Sequence, residues 1–272
     1  MMSVITSRNN LRVRQARLLR QRKAREESGL FLVEGIFPVG EAVAAQDASK
    51  IRLESIFYAS ELLKSDFAWE LIRRQASQGT PCFEISAEVF QSIAGKDNPQ
   101  GILAVARRPT IRLGELNPGA FPWAVAVVAP QDPGNVGTIL RTIDAVGASA
   151  LLLLESSVDP FHPSTVRASM GAIFWHPLVC ASFADFAQWA VKHQYHVVGT
   201  SAQGDSDYRE ILRYQPPLIL LMGSEREGLT DEQAGICQQT VRLPMRGRTS
   251  SLNLAVATGV MLYDISAKSQ LS

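Results

Sequence analysis

Four stretches of this chain, residues 123–129, 150–154, 197–201 and 218–222, are apolar in continuous runs rather than at alternate positions. Parallel strands covered on both faces have no solvent side to keep polar, so such runs predict the central strands of an α/β sheet. Residues 136–146 and 183–193 read as helices between them, and a last helix is expected to start within residues 250–253 and to reach Asp264. The alternation predicts a doubly wound parallel sheet, whose ligands bind outside the carboxyl ends of its strands.

Ahead of this region the alternation continues on a smaller scale. Strands are expected at residues 31–33, 55–58, 82–85 and 101–106, and helices at 36–45 and 67–78, together a compact α/β unit. Residues 9–25 contain no glycine or proline, can be capped by Ser7 or Asn9, and have Gly29 just beyond them, so they read as one helix. Three prolines and two glycines mark residues 108–122 as a linker. The expected organisation is a first domain over residues 1–107, a linker over 108–122 and a second domain over 123–272.

Composition narrows the class without naming a chemistry. The 272 residues are 46% hydrophobic and 19% charged, which is globular composition with enough length to bury a core unaided by disulfides. Cys82, Cys180 and Cys237 are odd in number and widely spaced, so no disulfide framework and no metal site is expected, and a reducing, cytoplasmic setting fits. No apolar run approaches the roughly 20 residues of a membrane span.

The formal charge of +1 conceals a division, since residues 1–25 carry eight Lys or Arg and no acid, leaving the remainder at −7. Arg12, Arg14, Arg17, Arg20, Arg22, Lys23 and Arg25 give the first helix an almost wholly cationic polar surface. That surface is either a solvated face or one neutralised by a polyanion such as a phosphate backbone. The same Arg-rich, acid-free start resembles an organellar transit peptide, which leaves import as an alternative to the cytoplasm.

Three segments at the expected strand ends carry unusual polar residues. The first, residues 132–141, leads from a turn-prone Asp-Pro-Gly-Asn, ending at Asn135, into a helix whose first turns contain Gly137 and Arg141, with Arg141 expected about one turn inside it. Free amides at such a helix start suit an anion, while Arg141 reads equally as half of a surface ion pair. The second, residues 223–229, is Gly-Ser-Glu-Arg-Glu-Gly-Leu; it matches no phosphate-binding glycine loop, and its two glutamates favour a ligand with a positive centre. The third, residues 243–253, is a basic loop with Arg246 and Arg248 that ends in Ser-Ser-Leu-Asn. Ser250 or Ser251 reads as an N-cap, and Asn253 then falls on the first turn without a capping role.

Taken in order and at these spacings, Asn135-x-Gly137-x-x-x-Arg141, Gly223 to Leu229, and Leu243-Pro244-Met245 through Ser250-Ser251-Leu252-Asn253 resemble the three motifs of the SpoU/TrmH family. These are AdoMet-dependent RNA ribose 2′-O-methyltransferases of the SPOUT class. The likeness extends to Arg167-Ala168-Ser169-Met170-Gly171-Ala172. In the first domain, the basic helix, Phe31-Leu32-Val33-Glu34-Gly35 and Asn98-Pro99-Gln100-Gly101 are similar to the family's L30e-like substrate-binding module. Ala255 departs from the pattern, since many members have serine there.

The resemblance implies a C-terminal trefoil knot, AdoMet held at Gly223, Leu243, Leu252 and Thr200, no metal, and a homodimer formed through the knot region. It implies that Arg141 is the main catalytic residue, supported by Asn135, Glu225, Ser251 and Asn253. A guanidinium is a poor proton acceptor at neutral pH, so Arg141 is expected to orient a phosphate and stabilise the developing alkoxide. The seven cations of the first helix, with Arg246 and Arg248, are expected to hold RNA. An rRNA of the 23S type is favoured as substrate; a tRNA substrate and a non-catalytic ribosome-assembly role are the alternatives.

Overall fold

The structure, a computed structural model, describes residues 4–95 and 98–269. It divides into two compact units: residues up to Pro109 together with Phe161–Trp175, and Thr110–Pro160 together with residues from His176 onward. The mixed α/β class expected from the apolar pattern is present in both.

In the first unit, α1 (Leu11–Leu18), α2 (Arg22–Ser28), β1 (Leu30–Glu34), α3 (Ile36–Asp47), β2 (Arg52–Tyr58), α4 (Asp66–Ser77), β3 (Cys82–Glu84), α5 (Ala87–Ile93) and β4 (Ile102–Arg107) follow in order. Its four strands pair in the order β1-β4-β2-β3, antiparallel except for β2 with β3. The cationic segment forms two helices, not the single one expected. Asn10 caps α1, its Oδ1 accepting from the Arg12 amide at 3.0 Å, and α2 ends at Gly29 with φ of +68°.

Burial explains the break. Val13, Ala16 and Leu19 are buried in one cluster with Val89, Phe90 and Ile93 of α5, so α1 is a wall of the core and not a free arm. Arg25 turns back from α2, and its guanidinium donates to the Leu19 carbonyl at 2.7 Å with only 1% of the residue exposed. It supplies a partner to a carbonyl that the end of α1 leaves unpaired, and it is removed from the set of expected RNA contacts.

The acid-free run is neutralised from within the chain as well. Arg8 pairs with Glu88 at 3.0 Å, Arg20 with Glu34 at 3.1 Å, Arg22 with Glu26 at 2.7 Å and Lys23 with Glu27 at 3.8 Å. Arg17 bonds the carbonyl and hydroxyl of Ser92, and Arg12 stands over the Phe83 ring at 4.4 Å.

The second unit opens with β5 (Trp123–Val128), α6 (Pro133–Val146) and β6 (Ala150–Leu154). The next helix, α7 (Pro163–Ala168), lies in the stretch assigned to the first unit. The chain then forms β7 (Leu178–Ala181), α8 (Phe183–Lys192), β8 (His196–Thr200), β9 (Ser206–Asp207), β10 (Leu218–Met222), α9 (Asp231–Gly235), β11 (Gln239–Arg242) and α10 (Leu254–Lys268). All seven strands are parallel, in the order β7-β6-β5-β10-β8-β11-β9. Ala124, Ala126, Leu152, Ile219 and Leu221 pack one face against Phe183, Phe186 and Trp189 of α8. α6 and α10 pack against each other, α6 also against β6 and α10 against β10.

Two expected boundaries shift. Residues 113–115 of the expected linker form a helical turn, and Leu116, 1% exposed, enters the second unit's core, where its carbonyl accepts from Trp189 Nε1 at 3.3 Å. Phe161–Trp175, expected in the second domain, packs in the first unit through Phe161 and Phe174 against Phe31, at ring distances of 4.8 and 6.3 Å. Trp175 Nε1 donates to Glu41 at 3.2 Å. Among the described residues no helix is long and apolar enough to cross a membrane.

The Arg25 contact is testable by urea unfolding. Arg25→Ala leaves a buried carbonyl short of its charged donor and is expected to cost about 2 kcal/mol, whereas Arg14→Ala on the exposed face stays within about 0.5 kcal/mol.

Candidate active site

The strand order sets the carboxyl ends of β5, β10, β8 and β11 side by side, so the three motif segments and Thr200 meet on one edge of the sheet. β5 ends at Val128, and the next residue, Ala129, with φ of +43° turns the backbone sharply into the first motif. α6 begins at Pro133 rather than at residue 136. Asp132 is its N-cap, accepting from the Gly134 amide at 2.7 Å, and Pro133 stands where a missing N–H costs nothing. Asp132-Pro133 is the sequence signal for that start. Asn135 therefore lies buried in the first turn, and Arg141 lies exposed in the third turn rather than one turn inside the helix.

Asn253 is the N-cap of α10; Ser250 and Ser251 precede it and do not cap. Its Oδ1 accepts from the amides of Ala255 and Val256 at 2.9 and 3.3 Å. An amide N–H can bond only to the carboxamide oxygen, so the Asn253 Nδ2 must face the other way, where it donates to Asn135 Oδ1 at 3.0 Å. Asn135 is then oriented too, and its Nδ2 donates to Glu225 Oε1 at 2.5 Å. Two asparagines and one glutamate thus form a directional chain whose sense is set by the backbone of α10, each bond polarising the next.

The second motif is a closed loop. Ser224 and Gly228 exchange backbone hydrogen bonds of 2.9 and 3.0 Å, and Gly228 holds φ of +72°. A Cβ on Gly223 would collide with the backbone of Gly228 and Leu229, so glycine is required for the loop to fold back. Thr200 is buried at the end of β8, its hydroxyl on Met222 Sδ at 3.3 Å. Leu243 is half-buried where β11 ends, and Leu252 is exposed.

Ser251, Arg246 and Arg248 are exposed on the 243–253 loop, and neither Ser251 nor Arg141 joins the hydrogen-bonded chain. Burial pushes the thiols of Cys82 and Cys237 up to about 11, far above the range in which a thiolate forms.

A parallel α/β domain with a polar site built on its strand ends is a methylase domain here, since residues 122–263 match the SpoU rRNA Methylase family and residues 10–104 match the MRM3-like substrate binding domain. The chain is 29% identical to the 23S rRNA (guanosine(2553)-2′-O)-methyltransferase RlmP of Bacillus subtilis, over 97% of this chain and 99% of that protein. It is 31% identical to the 23S rRNA (uridine(2479)-2′-O)-methyltransferase of Streptomyces viridochromogenes, over 96% and 90%. The AdoMet-bound rRNA methyltransferase of Sinorhizobium meliloti superposes with a TM-score of 0.87 at 34% identity, covering 97% of both chains. This protein belongs to the SpoU rRNA methylase family, as the three motifs implied.

The hydrogen bond between Asn135 and Asn253 predicts a coupling. In a double-mutant cycle of Asn135→Ala and Asn253→Ala, followed by chemical unfolding, the two losses are expected to differ from additivity by about 1 kcal/mol. Additivity within about 0.3 kcal/mol would show that the contact carries nothing.

Proposed function

We propose that this protein transfers a methyl group from AdoMet to a ribose 2′-hydroxyl of 23S-type rRNA in the cytoplasm. The observation that carries the reading is the Asn253–Asn135–Glu225 chain, which ties all three family motifs into one strand-end site. Relatives that match nearly the whole chain are named as 23S rRNA 2′-O-methyltransferases, which favours rRNA over tRNA.

The residues present fit AdoMet. Gly223 carries no side chain, and Thr200 and Leu243 close neighbouring strands, so backbone donors and acceptors stand beside the apolar side chains of Leu243 and Leu252. That combination suits an adenine ring, and Glu225 suits a cationic ligand. When bound, AdoMet supplies an activated methyl group on a sulfonium.

In this reading Arg141 clamps the phosphate beside the target ribose and offsets negative charge developing at O2′. Asn135 and Asn253 hold Glu225 in one orientation, and Ser251 orients the incoming ribose. The trefoil knot is supported by chain path: β11 lies two strands beyond β10, whereas α10 packs on α6, so residues 243–253 return across the ends of β8 and β10. A homodimer through this region is supported by apolar side chains left exposed on α10, Val256 and Tyr263, beside Leu252.

The first unit, with residues 1–107 at its centre, serves as the L30e-like substrate module. Arg12, Arg14, Arg22 and Lys23 contribute its exposed charge, and Arg246 and Arg248 add charge on the motif loop.

The reading is tested by mapping 2′-O-methyl groups in total RNA from cells with and without the gene: one missing 23S rRNA mark is expected, and an unchanged map overturns it. Arg141→Ala is expected to lower turnover at least about 100-fold while AdoMet affinity, measured by calorimetry, is retained. A near-wild-type rate would remove Arg141 from the chemistry.

A further inference from the structure

The methylase family match runs through residues 122–263, yet Phe161–Trp175 within it folds into the first unit, and a cavity there has no part in the strand-end site. It encloses about 210 Å³ and is lined by Arg20, Glu34, His162, Ser164 and Arg167 over an apolar floor. Glu34 is the one acid of that lining, and its carboxylate is already engaged: it accepts from the Gly95 amide at 2.9 and 3.2 Å and from Arg20 at 3.1 Å. Arg20 also donates through Nε to the Ile93 carbonyl at 2.5 Å.

Arg167 makes no side-chain hydrogen bond or ion pair among the described residues. The cavity therefore holds one positive charge in excess, carried by a guanidinium with its donors unspent. His162 Nδ1 accepts from the Ser164 amide at 3.1 Å, and both residues line the same space. The unspent donors of Arg167, a net positive charge and an apolar floor suit a phosphate whose sugar lies against the floor; a guanidinium meets two phosphate oxygens at once.

We propose that this cavity binds one backbone phosphodiester of the RNA substrate, with Arg167 as its main ligand. The proposal rests on the RNA-methylation reading and assigns α7 a substrate-holding role in the first unit. It is tested with wild type, Arg167→Ala and Arg167→Gln, titrated against a 23S rRNA transcript over a series of salt concentrations, with AMP as a free-phosphate probe and thermal melts to verify folding.

Both variants are expected to lose about tenfold in RNA affinity at fixed salt. The slope of log affinity against log salt should fall by about 0.7 to 0.9, the value of one phosphate contact. In methyl transfer, KM for RNA rises with kcat within about twofold of wild type. Unchanged affinity and slope in either folded variant overturns the proposal. So does AMP binding that is lost in the variants while the RNA slope stays constant, since that marks a free-nucleotide site. Binding is read without turnover, so a wild-type protein that binds RNA through Arg167 but methylates nothing refutes the methylation reading alone.

Discussion

The hydrogen-bonded chain from the α10 backbone through Asn253 and Asn135 to Glu225 is the constraint on which the site depends. Its two side-chain links span 118 and 90 residues of sequence, so each fastens a loop to another that the chain reaches only after several strands. Carboxamides suit this task because each has one accepting and one donating end. A serine at position 253 could cap α10 but could not also present an amide donor to Asn135, and an aspartate would cap it with no donor left. The chain is therefore both a fold contact and the device that sets the direction of Glu225. Removing either asparagine leaves a polar group in a partly buried place without its partner.

Charge in this protein is handled by the same logic of pairing. The first 25 residues look like a polyanion-binding arm because their acids lie elsewhere in sequence. In the fold, Glu88, Glu34, Glu26 and Glu27 come to them, and Arg25 disappears into the core to satisfy the Leu19 carbonyl. The exposed cations of α1 and α2 are a smaller set, Arg12, Arg14, Arg22 and Lys23. Surface pairs of this kind are weak and exchangeable, so the paired cations still shape the field around the unit. A count of basic residues overstates the contacts, while the helix they occupy contributes packing that the count does not register.

The Phe161–Trp175 stretch follows a different principle. It leaves one unit and packs in the other because Phe161 and Phe174 find the Phe31 ring and Trp175 finds Glu41. Buried aromatic area of this size outweighs sequence adjacency. The consequence is that Arg167 and Ser164 join a cavity lined by residues from the beginning of the chain.

Much of this was legible without coordinates. Continuous apolar runs identified the parallel strands, with β6 and β10 at the residues expected, because burial on both faces leaves a one-dimensional signature. The motif residues Asn135, Glu225 and Asn253 stood out as polar groups at strand ends. The Asp132-Pro133 cap was also in the sequence, though a turn-prone reading of Asp-Pro-Gly-Asn hides it and misplaces the helix start ahead of Arg141 by three residues. The break between α1 and α2, the core role of Leu116 and the burial of Arg25 were not legible, since each is decided by a partner far along the chain. Asn253 shows the division most clearly. Its sequence position fixes it near a helix start, but only the approach of Asn135 and the free amides of Ala255 and Val256 decide which end of its carboxamide faces the site.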